Sequence, residues 1–180
     1  MENILIVVDM QNDFVDGVLG SPEAVAILSA VEEKIRNHQG KIIFTRDTHA
    51  EDYMQTREGK YLPVPHCIKN TSGWEIHPRV WAAIPKDREA QIIDKPTFGA
   101  VELSAALEKL HEHSPIATVT LIGVCTDICV ISNAMLIKAS LPEIDVVIDA
   151  SCCAGVTPES HANALRAMQM CQMEIVNFEA

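Results

Sequence analysis

Residues 121–134, LIGVCTDICVISNA, place two cysteines, Cys125 and Cys129, four positions apart around a Thr-Asp pair. Thiols so spaced could clip a metal, form a redox pair or a disulfide, or supply a nucleophile. Each could equally be a small buried hydrophobe. Cys129 falls in the first turn of a helix predicted over 127–140, where Thr126 or Asp127 would serve as N-cap. Backbone amides and the helix dipole at such a position would lower a thiol pKa and make thiolate available. None of the six cysteines forms a CxxC pair, which disfavours a zinc ribbon or a thioredoxin-type couple.

Two other residues could act with such a thiol. Asp9 directly follows the aliphatic run ILIVV (4–8), where a carboxylate needs a partner or a purpose. It could also simply cap loop amides. Lys95 follows the apolar IID (92–94), and alone it reads as a surface lysine. Taken with Cys129, these residues make a set: a base, a cation and a nucleophile, each at or just after the carboxyl end of a predicted strand.

A second set lies in the long polar segment 46–90. Asp47 and His49 are two residues apart, a spacing that puts them on one face of extended backbone. Glu58 and His66 follow on the same segment. Two imidazoles with carboxylates suit a divalent transition ion such as zinc, iron or manganese, although DxH alone also fits scattered surface residues. The remaining candidates read as structural. His38, His111, His113 and His161 sit in or near helix ends, and His77 in a loop before a proline. Cys152, Cys153 and Cys171 read as packing, and Met168, Met170 and Met173 as core. Phe14 reads as core or as the wall of a site for a flat ligand.

The elements that must position these residues follow from periodicity. Continuous β-branched or aliphatic runs predict buried strands over 4–8, 41–45, 91–94, 117–124, 145–150 and 173–178. Helical patterns occupy 23–38, 102–113, 127–140 and 158–171, the first with Ser21 as cap, Pro22 at the first helical position and Gly40 past its end. Strands alternating with helices imply an α/β fold: one doubly wound sheet of about six mostly parallel strands, with helices on both faces. The chain of 180 residues reads as a single domain over 1–180. Segment 46–90 breaks the rhythm, and long loops in compact domains are usually functional. Sites in such sheets gather at the carboxyl ends of strands.

Composition narrows the partners. A net charge of −11 argues against nucleic acid or an anionic membrane surface. The N-terminus lacks a basic start, Asp9 interrupts its apolar stretch, and no run reaches the length of a membrane span. The expectation is a cytoplasmic protein with reduced cysteines.

The motifs VVDMQNDF (7–14), TRDTH (45–49), PHC (65–67), DKPTFGA (94–100) and GVCTDICV (123–130) together resemble the isochorismatase-like cysteine hydrolases, and within them the nicotinamidase/pyrazinamidase branch. The resemblance spans nearly the whole chain. It implies a catalytic triad of Asp9, Lys95 and Cys129, and it selects Cys129 over Cys125 as the nucleophile. It implies an oxyanion hole from the amides of Cys125 and Cys129, with a cis peptide before Cys125. It assigns Asp47, His49 and His66 to a divalent metal, with Glu58 as a further candidate, and has Phe14 stack on a pyridine ring. The implied reaction cleaves a small amide such as nicotinamide to the acid and ammonia through a thioester. It also implies a homo-oligomer.

The chain departs from the pattern near the pocket. YLPVPHC replaces the usual WPxHC, putting Leu62 or Pro63 at the aromatic position with Tyr61 nearby, and DKPTFGA lacks the usual YSAF. The rival readings are a metal-free isochorismatase- or carbamoyl-hydrolase-type enzyme, a non-catalytic binding protein on the same fold, and a metal hydrolase that uses no thiol.

Overall fold

The computed structural model describes residues 1–178. Six strands form one sheet in the order β3-β2-β1-β4-β5-β6: β1 (Glu2–Val8), β2 (Lys41–Asp47), β3 (Ala90–Lys95), β4 (Ile116–Val124), β5 (Asp145–Ala154) and β6 (Glu174–Val176). Every pairing is parallel. The sequence expectation of a mostly parallel sheet is therefore met in full. The helices are α1 (Asn12–Val15), α2 (Pro22–Ala26), α3 (Leu28–Asn37), α4 (Arg57–Tyr61), α5 (Pro78–Ala82), α6 (Val101–His113), α7 (Ile131–Ser140) and α8 (Pro158–Met170). No helix among the described residues is long and apolar enough to cross a membrane.

Alternation along β1 explains the two-sided burial. Ile4, Ile6 and Val8 join a core layer with Leu103, Leu107, Val130, Ile137, Leu165 and Met168, on the side of α6, α7 and α8. Leu5 and Val7 join the opposite layer with Leu28, Val31, Ile35 and Val80, on the side of α3 and α5. A strand covered on both faces has no polar side to offer, which is why its sequence is unbroken aliphatic.

Several boundaries differ from the sequence reading. The helix expected over 23–38 is divided at Ile27, where ψ is −11° and the bond to the Glu23 carbonyl lengthens to 3.3 Å, into α2 and α3. The helix expected from 127 begins as a π-helical turn, Thr126–Val130, whose Val130 N–H donates to the Cys125 carbonyl at 3.0 Å. Neither Thr126 nor Asp127 caps it. Cys125 holds the cap position, without a side-chain bond. β5 runs four residues past Ala150, which places Cys152 and Cys153 in the core. Met170 is 84% exposed and Cys171 is exposed, so neither packs as expected, whereas Met168 and Met173 do. His77 is buried at the start of α5.

Registers decide what meets at the carboxyl edge. Val8 pairs with Thr45 on one side and Gly123 on the other, and Asp47 pairs with Lys95. Asp9, Asp47, Lys95 and Cys125 therefore arrive at one rim. Gly123 is required there: its φ is +114°, and a Cβ would lie 2.1 Å from the Val8 carbonyl oxygen.

A buried carboxylate fastens the far side of the sheet. Asp149 accepts hydrogen bonds from Lys34 Nζ (2.7 Å), the Ser151 hydroxyl (2.8 Å) and Asn177 Nδ2 (2.9 Å). Burial pushes its pKa up, but these donors outweigh burial and hold it below the ordinary 3.8. Asp149→Ala should destabilise the protein by about 2 kcal/mol in urea titrations, the scale of hydrogen bonds to a charged group. A carboxyl held low stabilises the fold above its unfolded pKa and loses that contribution as pH falls through the folded value. The difference between the wild type and the variant should accordingly shrink below about pH 4.

Candidate active site

Asp9 leaves β1 with φ of 47°, a left-handed conformation that aspartate tolerates better than most residues. Its Oδ1 accepts the Thr45 hydroxyl at 2.7 Å, and its Oδ2 lies 2.7 Å from Lys95 Nζ. Both residues have no solvent exposure. Lys95 Nζ also approaches Asp47 Oδ1 (3.3 Å), the Thr97 carbonyl (3.1 Å) and Cys129 Sγ (3.5 Å). One ammonium thus contacts both carboxylates and the sulfur.

Charge states follow from these contacts. Burial would lower Lys95, but Asp9, Cys129 and Asp47 carry it above its ordinary value, so it stays protonated. Burial raises Asp9 against the pull of Lys95. Burial and then the Asp9 charge push the Cys129 thiol well above its ordinary 9.0. The direction runs against the expectation of a depressed thiol pKa: loss of hydration and the facing Asp9 carboxylate outweigh the pull of Lys95. A shift in this direction favours the thiol form, and Asp9 faces it as a hydrogen-bond acceptor. Cys125 is likewise held up at about 12, mainly by burial. All six cysteines are free thiols, so the structure contains no disulfide.

The peptide between Val124 and Cys125 is cis. No acceptor among the described residues takes the Cys125 N–H. Asn133, buried on α7, donates from Nδ2 to the Cys129 carbonyl at 2.8 Å and accepts the Ala100 N–H at 2.9 Å. It links the turn that carries Cys129 to the loop that follows Lys95.

The second set converges as well. Donor atoms of Asp47, His49, Glu58 and His66 all lie within 4.8 Å of one another. His49 Nε2 stands 2.9 Å from Asp47 Oδ2 and 3.6 Å from Glu58 Oε1. His66 Nε2 stands 3.7 Å and 3.8 Å from the same two carboxylates. His66 Nδ1 donates to the Val64 carbonyl at 2.8 Å, which turns the Nε2 lone pair inward. His49 Nε2 is buried and has no well-formed hydrogen bond. Two imidazoles and two carboxylates around such an orphaned nitrogen fit a divalent cation, whose tetrahedral ligands sit about 3.4 Å apart.

Residues to which the sequence reading gave no role hold this cluster, two of them, Gln11 and Asp13, within the stretch VVDMQNDF. Gln11, fully buried, donates to the Asp47 and Trp74 carbonyls and accepts the Asp47 N–H. Asp13 accepts the Cys67 N–H at 2.8 Å, beside His66. Tyr53 packs on His49 and His66, with ring centroids 4.7 Å and 5.0 Å away, and its hydroxyl donates to the Leu62 carbonyl. An aromatic residue in a polar loop was the one available signal.

A cavity of about 420 Å³ joins the two sets. Asp47, Glu58 and His66 line one part, Cys125 and Cys129 another, and Phe14, Leu19, Leu62, Phe98, Ile128 and Val156 supply apolar wall. Phe14 also packs against His66 at 5.4 Å. Tyr61 does not line the cavity. It is 77% exposed and lies under the Arg57 guanidinium, and Pro63 does not line the cavity either, so of the three residues considered for the wall only Leu62 serves. Phe98 and Ile128 fall inside the stretches DKPTFGA and GVCTDICV without a role assigned to them there, and Leu19 and Val156 lie in no motif. A larger groove of about 690 Å³ at the opposite ends of β2 and β3 contains no nucleophile or metal-type cluster.

A doubly wound α/β domain with a thiol, an acid and a lysine at its carboxyl edge is a defined class, and comparison with known proteins agrees. The chain matches the isochorismatase domain over residues 3–179 and belongs to that family. It is 31% identical over 175 residues to the isochorismatase family protein PncA of Bacillus subtilis, covering 92% of this chain and 93% of that one. It is similar to the pyrazinamidase/nicotinamidase of Streptococcus mutans (28% identity, TM-score 0.81, 97% and 99% covered). The pyrazinamidase of Pyrococcus horikoshii in complex with zinc is also similar (30% identity, TM-score 0.78, 99% and 100% covered).

A protonated resting thiol has a measurable signature. Alkylation of the Cys129 peptide by iodoacetamide, read by mass spectrometry, should keep rising about tenfold per pH unit through and beyond pH 9. A plateau already reached at pH 6 would show a preformed thiolate.

Proposed function

We propose that this protein is a metal-dependent cysteine amidohydrolase that converts nicotinamide, or a close pyridine or pyrazine carboxamide, to the acid and ammonia. The observation that carries the reading is the single cavity bordered by Cys129 and by the Asp47–Glu58–His66 side of the metal-type cluster. Similarity to proteins named nicotinamidase and pyrazinamidase supports the substrate. The intact cluster favours this reading over a metal-free branch, and the complete triad favours it over a binding protein.

In the proposed reaction, Asp9 takes the Cys129 proton while Lys95 holds the sulfur's developing charge. The thiolate attacks the amide carbonyl, and the oxyanion accepts hydrogen bonds from the Cys125 and Cys129 amides. Each such donor is worth roughly 3–4 kcal/mol in a comparable hydrolase. Asp9 passes the proton to the amide nitrogen, the C–N bond breaks, and ammonia leaves a thioester. Asp9 then deprotonates water, which attacks the thioester. The C–S bond breaks, and the proton returns to sulfur as the acid departs. Asp47, His49, Glu58 and His66 would hold the divalent ion, zinc in our reading of two imidazoles and two carboxylates. When bound, it supplies a Lewis acid that orients the substrate ring. Phe14 and Leu62 pack the ring from the apolar side. The same reading places the protein in the cytoplasm with free thiols. It also makes the protein a homo-oligomer.

Ammonia release from nicotinamide and pyrazinamide tests the reading directly. Cys129→Ser should lower kcat on the order of 10³-fold or more, because an unassisted hydroxyl is a poorer nucleophile at neutral pH. Near-full activity would remove Cys129 from the mechanism. Chelation should raise KM at least as much as it lowers kcat. Asp9 must be ionised to accept the proton, and burial raises its pKa. The acid limb of kcat/KM should therefore fall at a pH above the ordinary 3.8, with activity lost as pH drops through it.

A further inference from the structure

The proposed oxyanion depends on a backbone turn that is not an ordinary helix start, and something must hold that turn. Thr126, its first residue, is completely buried. Its hydroxyl meets one side chain, His161 of α8, with Oγ1 and Nδ1 2.8 Å apart. Neighbouring Asp127 accepts the Val156 N–H at 3.1 Å, from the loop that leads into α8. His161 fits closely, since a Cβ on Gly155 would lie 2.9 Å from its own Cβ.

We propose that His161 is a positioning residue for the amide hydrolysis: by holding the Thr126 hydroxyl it fixes the Thr126–Val130 turn whose Cys125 and Cys129 amides receive the oxyanion. It touches neither substrate nor sulfur. Among the described residues the Thr126 hydroxyl has no other partner; a buried O–H that only accepted would leave its own proton unpaired, so we assign it as donor to Nδ1 of a neutral imidazole. Burial lowers the His161 pKa, with Asp127 the charge opposing it, and the neutral ring is the form that accepts. A π-helical turn lacks the regular bonding that makes an α-helix rigid, and such turns often mark functional sites. Outside its own backbone, this one is tied at Thr126 by His161, at Asp127 by the Val156 amide and at Cys129 by Asn133 and Lys95. Loss of the first tie frees the residue between the two oxyanion amides. The amides would then be misaimed in the transition state while the substrate pocket is otherwise unchanged.

This role rests on the amidohydrolase reading, and the test separates the two. Nicotinamide turnover by the zinc-loaded enzyme is measured for the wild type, His161→Ala, His161→Asn, Thr126→Val and the double variant Thr126→Val/His161→Ala. His161→Ala should lower kcat by about 10- to 100-fold with KM within about twofold, the pattern of an interaction expressed in the transition state. His161→Asn, whose Oδ1 can stand where Nδ1 stood, should recover most of the loss. Thr126→Val should match His161→Ala, and the double variant should be no worse than either, because both remove one bond. Should His161→Ala fail to fold, the near-isosteric Thr126→Val reads the same bond. Unchanged kcat in both single variants, multiplying losses, or no rescue by a folded His161→Asn would overturn the role. A wild-type enzyme that releases no ammonia would overturn the amidohydrolase reading, and the role with it.

Discussion

The contact of Lys95 with Asp9, fully enclosed where β1 and β3 end, is the constraint on which the site depends. Burying either charge alone is prohibitive, and burying both is tolerable only when they stay paired. At 2.7 Å, with Thr45 and the Thr97 carbonyl taking further valences, the pair is locked in place. Its ammonium then has two more neighbours: Asp47 at the head of the metal-type cluster, and the Cys129 sulfur. One cation therefore couples three strand ends and both halves of the site. The sheet brings the strand ends together, and the charge balance keeps them there.

The same enclosure sets the chemistry of the sulfur. A thiol at a helix start is commonly read as activated, because amides and dipole favour the thiolate. Here the sulfur is buried and faces a carboxylate, and those effects win. In the proposed reaction, a protonated thiol beside an acceptor of raised pKa would be a nucleophile generated on demand rather than stored. Such an arrangement gives Asp9 a purpose that its position after five aliphatics could only hint at.

The long segment between β2 and β3 shows how a loop becomes a rigid ligand cage. Its own sequence is polar and interrupted by prolines, and it lacks a core. It borrows order from β1 and the residues after it: Gln11 clamps both sides of the Asp47 peptide, and Asp13 holds the Cys67 amide. Tyr53 packs on both histidines from within the loop. Gln11 and Asp13 lie in the stretch VVDMQNDF, yet what they hold is distant in sequence, so only the folded chain reveals their role.

Much was legible in the chain itself. Unbroken aliphatic runs declare strands covered on both faces, and their alternation with helices dictates a parallel sheet. That sheet in turn puts Asp9, Asp47, Lys95 and the Cys125–Cys129 turn at one edge. Local signals are reliable for these because backbone propensity and side-chain periodicity act over a few residues. The break at Ile27, the π-helical turn, the exposure of Tyr61 and the link from His161 to Thr126 were not legible. Each is decided by what packs against it from distant sequence. The sequence by itself determined which chemical groups the protein owns and the edge on which they gather. The tertiary structure alone decided which of them face the cavity, which stay behind it, and where the protons rest, because burial and charge proximity are properties of three-dimensional neighbours.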